Sequence, residues 1–318
     1  MQFPGTAKPA VGIVFDTAMG GIDDVLALAM LYGFEGKSQA RIAAIAVSSG
    51  DLRAAQFCDA LRLFNAGAST GPGPANLHGM PMGLADGGTA AESSIFNKLG
   101  KPVRATGIDS VKDTADPATL MRNALMAQHD QNAAMVLSGA AIDLARLLDM
   151  YGAKDWIVRK VRLLCVTGTG KATDSASEKV LAGWPTPMVT VGPEIGEALP
   201  FPGGSMEKDF AWSTGHPVVD AYRRYQPMPY DAPSCAMAAM LYTVRPDEGY
   251  FKLSDGGKRR HLIFDAGQKE RVIQAYIEMA SAKPVPRKPR RPPDEKKKEE
   301  DKEEKKDEKK DEKKDAAP

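Results

Sequence analysis

Five short apolar runs, the first four each followed by a helix-like stretch, constrain this chain more than any other feature. They occupy residues 11–15, 41–47, 134–137, 161–166 and 188–191. Near-continuous apolar runs of this length read as strands buried on both faces, the signature of a parallel sheet. After the first run comes a glycine turn, Gly20-Gly21, and then Asp23-Asp24 opens an apolar stretch over 25–32 that Gly33 is expected to stop. Carboxylates suit a helix start because the exposed amides and the helix dipole favour negative charge there. Further helices are expected over 52–65, 141–148, 175–182, 234–242 and 268–280, with a small β segment at 250–253 and 261–264. Strands alternating with helices build parallel βαβ units, so the expected fold is α/β, a mostly parallel sheet with helices on both faces. Ligands of such sheets bind beyond the carboxyl ends of the strands. That edge would carry Asp16, residues 48–51, Ser138 and residues 167–170. Residues 67–90 are rich in Gly and Pro and read as irregular; residues 203–230 read as loops with Trp212 and Tyr222 as aromatic anchors.

The charge distribution separates a body from a tail. Residues 294–315 are all charged, 10 Lys against 12 Asp and Glu, and lack any core-forming side chain, so residues 294–318 are expected to stay solvated. Residues 283–293 form a Pro-rich basic spacer, and residues 1–282 form the folded domain. That domain carries 27 basic and 29 acidic groups, and a near-neutral body lacks the basic face that phosphate attraction requires, which argues against a nucleic-acid partner. No apolar run approaches the roughly 20 residues that span a bilayer. Residues 1–10 show no apolar signal-peptide core, so the expected location is cytoplasmic, with a trimmed secreted form left open. Cys58, Cys165 and Cys235 are odd in number and widely spaced, which fits reduced, buried thiols rather than a disulfide framework.

The segment 14–33, VFDTAMGGIDDVLALAMLYG, resembles the N-terminal signature of the inosine–uridine-preferring nucleoside hydrolase family: a strand, Asp-x-Asp, a short glycine turn, then Asp-Asp opening an Ala/Leu-rich helix. RIAAIAVSSGD (41–51), VLSGAAIDLARLL (136–148) and WPTPMVTVG (184–192) resemble later segments of the same family. The resemblance implies a nucleoside-hydrolase-like domain that hydrolyses the N-glycosidic bond of ribonucleosides with a bound Ca²⁺. Calcium takes about six to eight oxygen ligands, several of them carboxylate.

Carried over residue by residue, the resemblance implies Asp24 as a metal ligand, Ser138 as the residue offering its carbonyl, and Asp16 as the first Asp of Asp-x-Asp and a further metal candidate. Asp23 would accept ribose hydroxyls, and Asp51 and Asp143 fall where the family carries substrate-side Asn residues. Two positions depart. Ala18 stands where the family has the Asp that activates water, leaving Asp16 as the one substitute base nearby, and the turn is one residue longer. Cys235-Ala236 stands where a late metal-binding Asp is expected.

Three readings follow. The first is a nucleoside hydrolase relative that still cleaves; the second is a non-catalytic relative, a pseudoenzyme that binds a nucleoside or sugar. The third is an aspartate-nucleophile phosphohydrolase, in which Asp16 is the nucleophile, though that chemistry also needs a second Asp at Ala18. A small molecule is the expected partner in each, with no membrane and with room for a homo-oligomer. The run TGTGKAT (167–173) fails as a phosphate loop, because Cys165 and Ala172 stand where Gly and Ser/Thr are required. His78, His129, His216 and His261 are scattered and lack metal-ligand spacing.

Overall fold

The computed structural model describes residues 9–66, 81–86, 95–99 and 106–285. In chain order these form β1 (Val11–Thr17), α1 (Ile22–Gly36), β2 (Ala40–Val47), α2 (Leu52–Asn65), β3 (Met82–Leu84), α3 (Phe96–Leu99), α4 (Pro117–Met126), β4 (Ala133–Ser138), α5 (Ile142–Leu148) and α6 (Ala153–Lys160). There follow β5 (Val161–Thr167), α7 (Ser175–Gly183), β6 (Met188–Val191), α8 (Pro193–Ala198), α9 (Ser205–Lys208), α10 (Pro217–Tyr225), α11 (Cys235–Val244), β7 (Phe251–Leu253), β8 (Arg259–Phe264) and α12 (Lys269–Ala280). One compact unit spans Met1–Val285; the remainder, Pro286–Pro318, lies outside the described residues, and with it the expected charged tail and most of the spacer.

The strands order as β3-β2-β1-β4-β5-β6-β8-β7, parallel throughout except for the antiparallel β7–β8 pair. The α/β expectation therefore holds. Every residue of β1 is buried, and its side chains divide between two cores. Ile13 and Phe15 pack with α1, α11 and α12, while Val14 packs with the apolar residues of α4 to α6 on the opposite face. That period of two is why a central strand must be apolar at every position. The chain winds outward through β2 and β3 on one side of β1 and through β4 to β6 on the other. The order thus reverses between β1 and β4, and the crevice opens where Thr17 pairs with Ser138.

Four expectations are corrected. Gly33 does not stop α1, which runs on to Gly36. A Cβ at Gly33 would lie 1.9 Å from the Met279 carbonyl oxygen, so the glycine lets α12 cross α1 in backbone contact. Residues 203–230 are not chiefly loop: α9 and α10 lie within them, and Tyr222 anchors from a helix, its hydroxyl donating to the Tyr230 carbonyl at 2.8 Å. Within 67–90, β3 adds an edge strand, while residues 67–80 and 87–90 lie outside the described residues, His78 among them. Helices α4, α6 and α8 were not expected. Among the described residues no helix is long and apolar enough to cross a membrane. Cys58 and Cys165 are buried free thiols and Cys235 is half-buried.

Candidate functional site at the strand edge

The chain leaves β1 at Asp16-Thr17 and turns through Met19, Gly20 and Gly21 before α1 begins. Met19 adopts a left-handed backbone (φ 48°) with its side chain fully buried, a conformation costing roughly 1 kcal/mol for a residue with a Cβ. The turn points backbone donors at Asp24. The Gly20 amide donates to Asp24 Oδ2 at 2.8 Å, and the Ser138 hydroxyl, from the end of β4, donates to Asp24 Oδ1. Burial pushes the Asp24 carboxyl up, and the bonds from Ser138, Gly20, Gly21 and Thr17 pull it back. The Ser138 carbonyl, expected to face a metal, accepts the Ala18 amide at 2.9 Å.

Asp23 is turned the other way. Its Oδ2 accepts from the Ala236 amide at 2.6 Å and its Oδ1 from the Met237 amide at 3.3 Å, so it caps the start of α11 from a position 213 residues away in sequence. Ser234, which occupies the local cap position, makes no side-chain capping bond; its hydroxyl donates to the Leu199 carbonyl instead. Burial and the neighbouring Asp24 charge push Asp23 up to about 8, against the lowering by the α11 amides. Ala236, at the expected late-acid position, is a fully buried helix residue.

A second pair of acids lies beneath the same edge. Asp16 is 1% exposed and neither of its carboxylate oxygens has a hydrogen-bond partner among the described residues. Asp143, on α5, is equally buried; Oδ1 lies 3.4 Å from Arg146 Nη1, and Oδ2 has no partner. Ser48 Oγ is likewise buried and unpartnered. Gly139 packs against the turn after β1 and against Ser48: a Cβ there would lie 2.6 Å from the Ala18 nitrogen and 2.8 Å from Ser48 Oγ. Burial first, then the Asp143 charge, holds the Asp16 carboxyl well above its ordinary value, and burial raises Asp143 despite Arg146. Arg146 offsets part of the charge on Asp143, and no group among the described residues bonds to Asp16. Outside them, a cavity of about 660 Å³ is bounded by Ser48, Thr114, Asp116, Ile142, Asp143 and Arg146.

Asp51 is the N-cap of α2. Its Oδ1 accepts from the Arg53 amide at 3.0 Å, and the Arg53 guanidinium clamps both carboxylate oxygens, at 3.0 and 2.9 Å. The structure thus brings Asp23, Asp24 and Ser138 together at one mouth, sets Asp16 and Asp143 together below it, and assigns Asp51 to a helix cap. Among the described residues no three His, Cys, Asp or Glu side chains converge as a metal cluster. Arg146, which ties Asp143 to Asp116 (Nη2–Oδ2 2.6 Å), was not anticipated, although an Arg three residues after an acid on a helix is a readable pair.

No family model matches the sequence, and no curated protein sequence matches it. Solved structures do match the fold. An inosine–uridine-preferring nucleoside hydrolase from Bacillus anthracis aligns over 86% of this chain and 99% of its own, at 12% identity and a TM-score of 0.58. A purine-preferring ribonucleoside hydrolase from Gardnerella vaginalis aligns over 85% and 98%, at 13% identity and a TM-score of 0.55. The type III effector protein XopQ, solved in complex with adenosine diphosphate ribose, aligns over 87% and 95%, at 13% identity and a TM-score of 0.63. The chain has a nucleoside-hydrolase-like fold.

Proposed function

We propose that this chain is a non-catalytic relative of the nucleoside hydrolases, binding a small nucleoside or sugar-nucleotide ligand at the strand edge without calcium. One observation carries the reading: the acids kept at the mouth already have protein donors on their oxygens. Asp24 holds the turn and β4 together, and Asp23 holds α11. A calcium ion needs about six to eight oxygens with several anionic ones free to turn towards it. Here Ala18 and Ala236 offer none and the Ser138 carbonyl is engaged by an amide. The residues present do not fit the ion. The water-activating base is absent with Ala18, a role worth about 10²–10⁴ in rate. Both Asp16 oxygens are sealed from solvent, which argues against Asp16 as a replacement base or a phosphohydrolase nucleophile.

The ligand class rests on the neighbours, which include nucleoside hydrolases and a protein solved with adenosine diphosphate ribose. Two measurements test the reading. Calorimetric titration with calcium to millimolar concentration should give no binding heat, and inosine or uridine should release no ribose with or without chelator. Inosine or adenosine diphosphate ribose should still bind, with an affinity that chelator leaves unchanged. Chelator-sensitive ribose release would falsify the proposal.

A further inference from the structure

A second cavity lies away from the strand edge, between α2 and the segment carrying α9 and α10. Its volume is about 630 Å³, and it shares no lining residue with the strand-edge cavity. Phe57, Phe96, Leu99, Met206, Phe210 and Val219 give it apolar walls. Its charged lining residues are already paired: Arg53 with Asp51 at 2.9 Å, Arg223 with Glu207 at 2.7 Å, and Asp220 with Arg224 at 3.1 Å. A charged ligand would lose its hydration there and find no free countercharge.

Of its uncharged polar lining residues Ser213, Thr214 and His216, His216 is the buried one. His216 lines the cavity, is 4% exposed, and sits among three rings: Phe64 at 4.4 Å between centroids, Phe210 at 4.9 Å and Trp212 at 5.3 Å. Its Nδ1 accepts the Val218 amide at 3.2 Å, at the start of α10. A backbone amide can only donate, so the proton of the neutral ring sits on Nε2. Burial lowers His216 to about 4, which keeps the ring neutral at physiological pH. Among the described residues Nε2–H has no acceptor. It is not among the fully sealed unpartnered atoms, so it stays accessible to an incoming acceptor.

We propose that this cavity is a second ligand site, taking an uncharged planar heteroaromatic ring that stacks among Phe57, Phe96 and Phe210 and accepts a hydrogen bond from His216 Nε2. Aromatic walls favour offset or edge-on ring packing, and the His216 donor among them selects for a ring nitrogen or carbonyl. The site stands independently of the strand-edge reading.

Benzimidazole and indole test it, because they share a shape but only benzimidazole carries an acceptor nitrogen. Each is titrated into the full chain at mildly alkaline pH, where benzimidazole is uncharged. Trp212 fluorescence and calorimetry are the readouts; Trp156 and Trp184 belong to the opposite core and supply a constant background. Benzimidazole should bind saturably and about tenfold more tightly than indole. His216→Phe should remove that preference, and Ala60→Leu, which fills the cavity wall, should abolish binding of both probes. His216 also caps α10, so each variant is first checked by circular dichroism; if His216→Phe does not fold, the two-probe comparison and Ala60→Leu still decide. Equal affinity for the two probes, no saturable signal with benzimidazole at millimolar concentration, or binding that Ala60→Leu leaves intact overturns the proposal.

Discussion

Two acid pairs sit within one turn of the same sheet edge and meet opposite fates. Asp23 and Asp24 are adjacent in sequence, and each holds a separate part of the fold through donors on both oxygens. Asp16 and Asp143 are distant in sequence, lie close enough for the Asp143 charge to raise Asp16, and leave three of their four carboxylate oxygens without a donor among the described residues. The first pair is polar glue that the surroundings satisfy; in the second, the Asp143 charge adds to burial in raising Asp16, and Arg146 offsets Asp143 alone. A count of carboxylates would score both as ligand sites. Accounting for each oxygen separates them, because an anionic oxygen already bonded to the protein must break that bond before it serves a cation.

The sharpest way to break this comparison is Asp23→Ala. If Asp23 is free for a ligand, its loss costs little. As the cap of α11 it should cost about 3 kcal/mol, from the lost cap and the two buried amides left without an acceptor. Urea unfolding followed by circular dichroism measures it, and Asp23→Asn, which keeps one acceptor, should recover more than half. A change below about 0.5 kcal/mol would mean the α11 amides find other partners and that Asp23 is available to a ligand. Ser138→Ala tests the other acid with a smaller effect. Removing the hydroxyl that donates to Asp24 should cost about 2 kcal/mol, as expected for a hydrogen bond to a charged group. The same variant should leave calcium binding absent; a gain of calcium affinity would show that Ser138 was all that held Asp24 from a metal.

The contrast also marks how far the sequence could be read. Buried parallel strands announce themselves by apolar runs, so β1, β2, β4, β5 and β6 were legible, and α2 fell on residues 52–65 as expected because its amphipathic spacing is strong. Helix α4 was overlooked although Asp116-Pro117 is a readable start, with the Asp116 side chain accepting the Thr119 amide at 2.9 Å. Helix α10 was hidden by the Gly/Pro-rich segment before it, where His216 acts as an unusual cap. The resemblance located Asp23, Asp24 and Ser138 at one edge, yet the roles of these residues could not be read. The amides of Ala236 and Met237 carry no sequence signal, and their approach to Asp23 depends on α11 packing against α1. Asp16 and Asp143 meet only because β1 pairs with β4, a strand order that local periodicity does not encode.

Asp143→Asn gives the smallest effect and the most informative sign. The amide is isosteric: its oxygen keeps the Arg146 contact, and its NH₂ replaces the unpartnered Oδ2. Losing a conserved-volume charge should then raise stability, by about 1 kcal/mol, or roughly 2–4 °C in Tm for a domain of this size. The pH dependence follows from the raised values of Asp16 and Asp143, to which Asp23, pushed up to about 8, and Asp24 add in the same direction. Between the unfolded carboxyl value of about 3.9 and the higher native values, the folded state binds more protons than the unfolded chain, so these acids add stability as pH falls through that window and withdraw it as pH rises. Asp174 and Asp265, whose carboxyls are held low by backbone donors, act in the opposite direction and only below that window, where acidification strips their contribution. Thermal unfolding between mildly acidic and neutral pH should therefore show the native protein losing stability with rising pH, and Asp143→Asn should flatten that slope. A destabilised variant with an unchanged slope would mean that Asp143 Oδ2 meets a donor, and that the two acid pairs are satisfied alike.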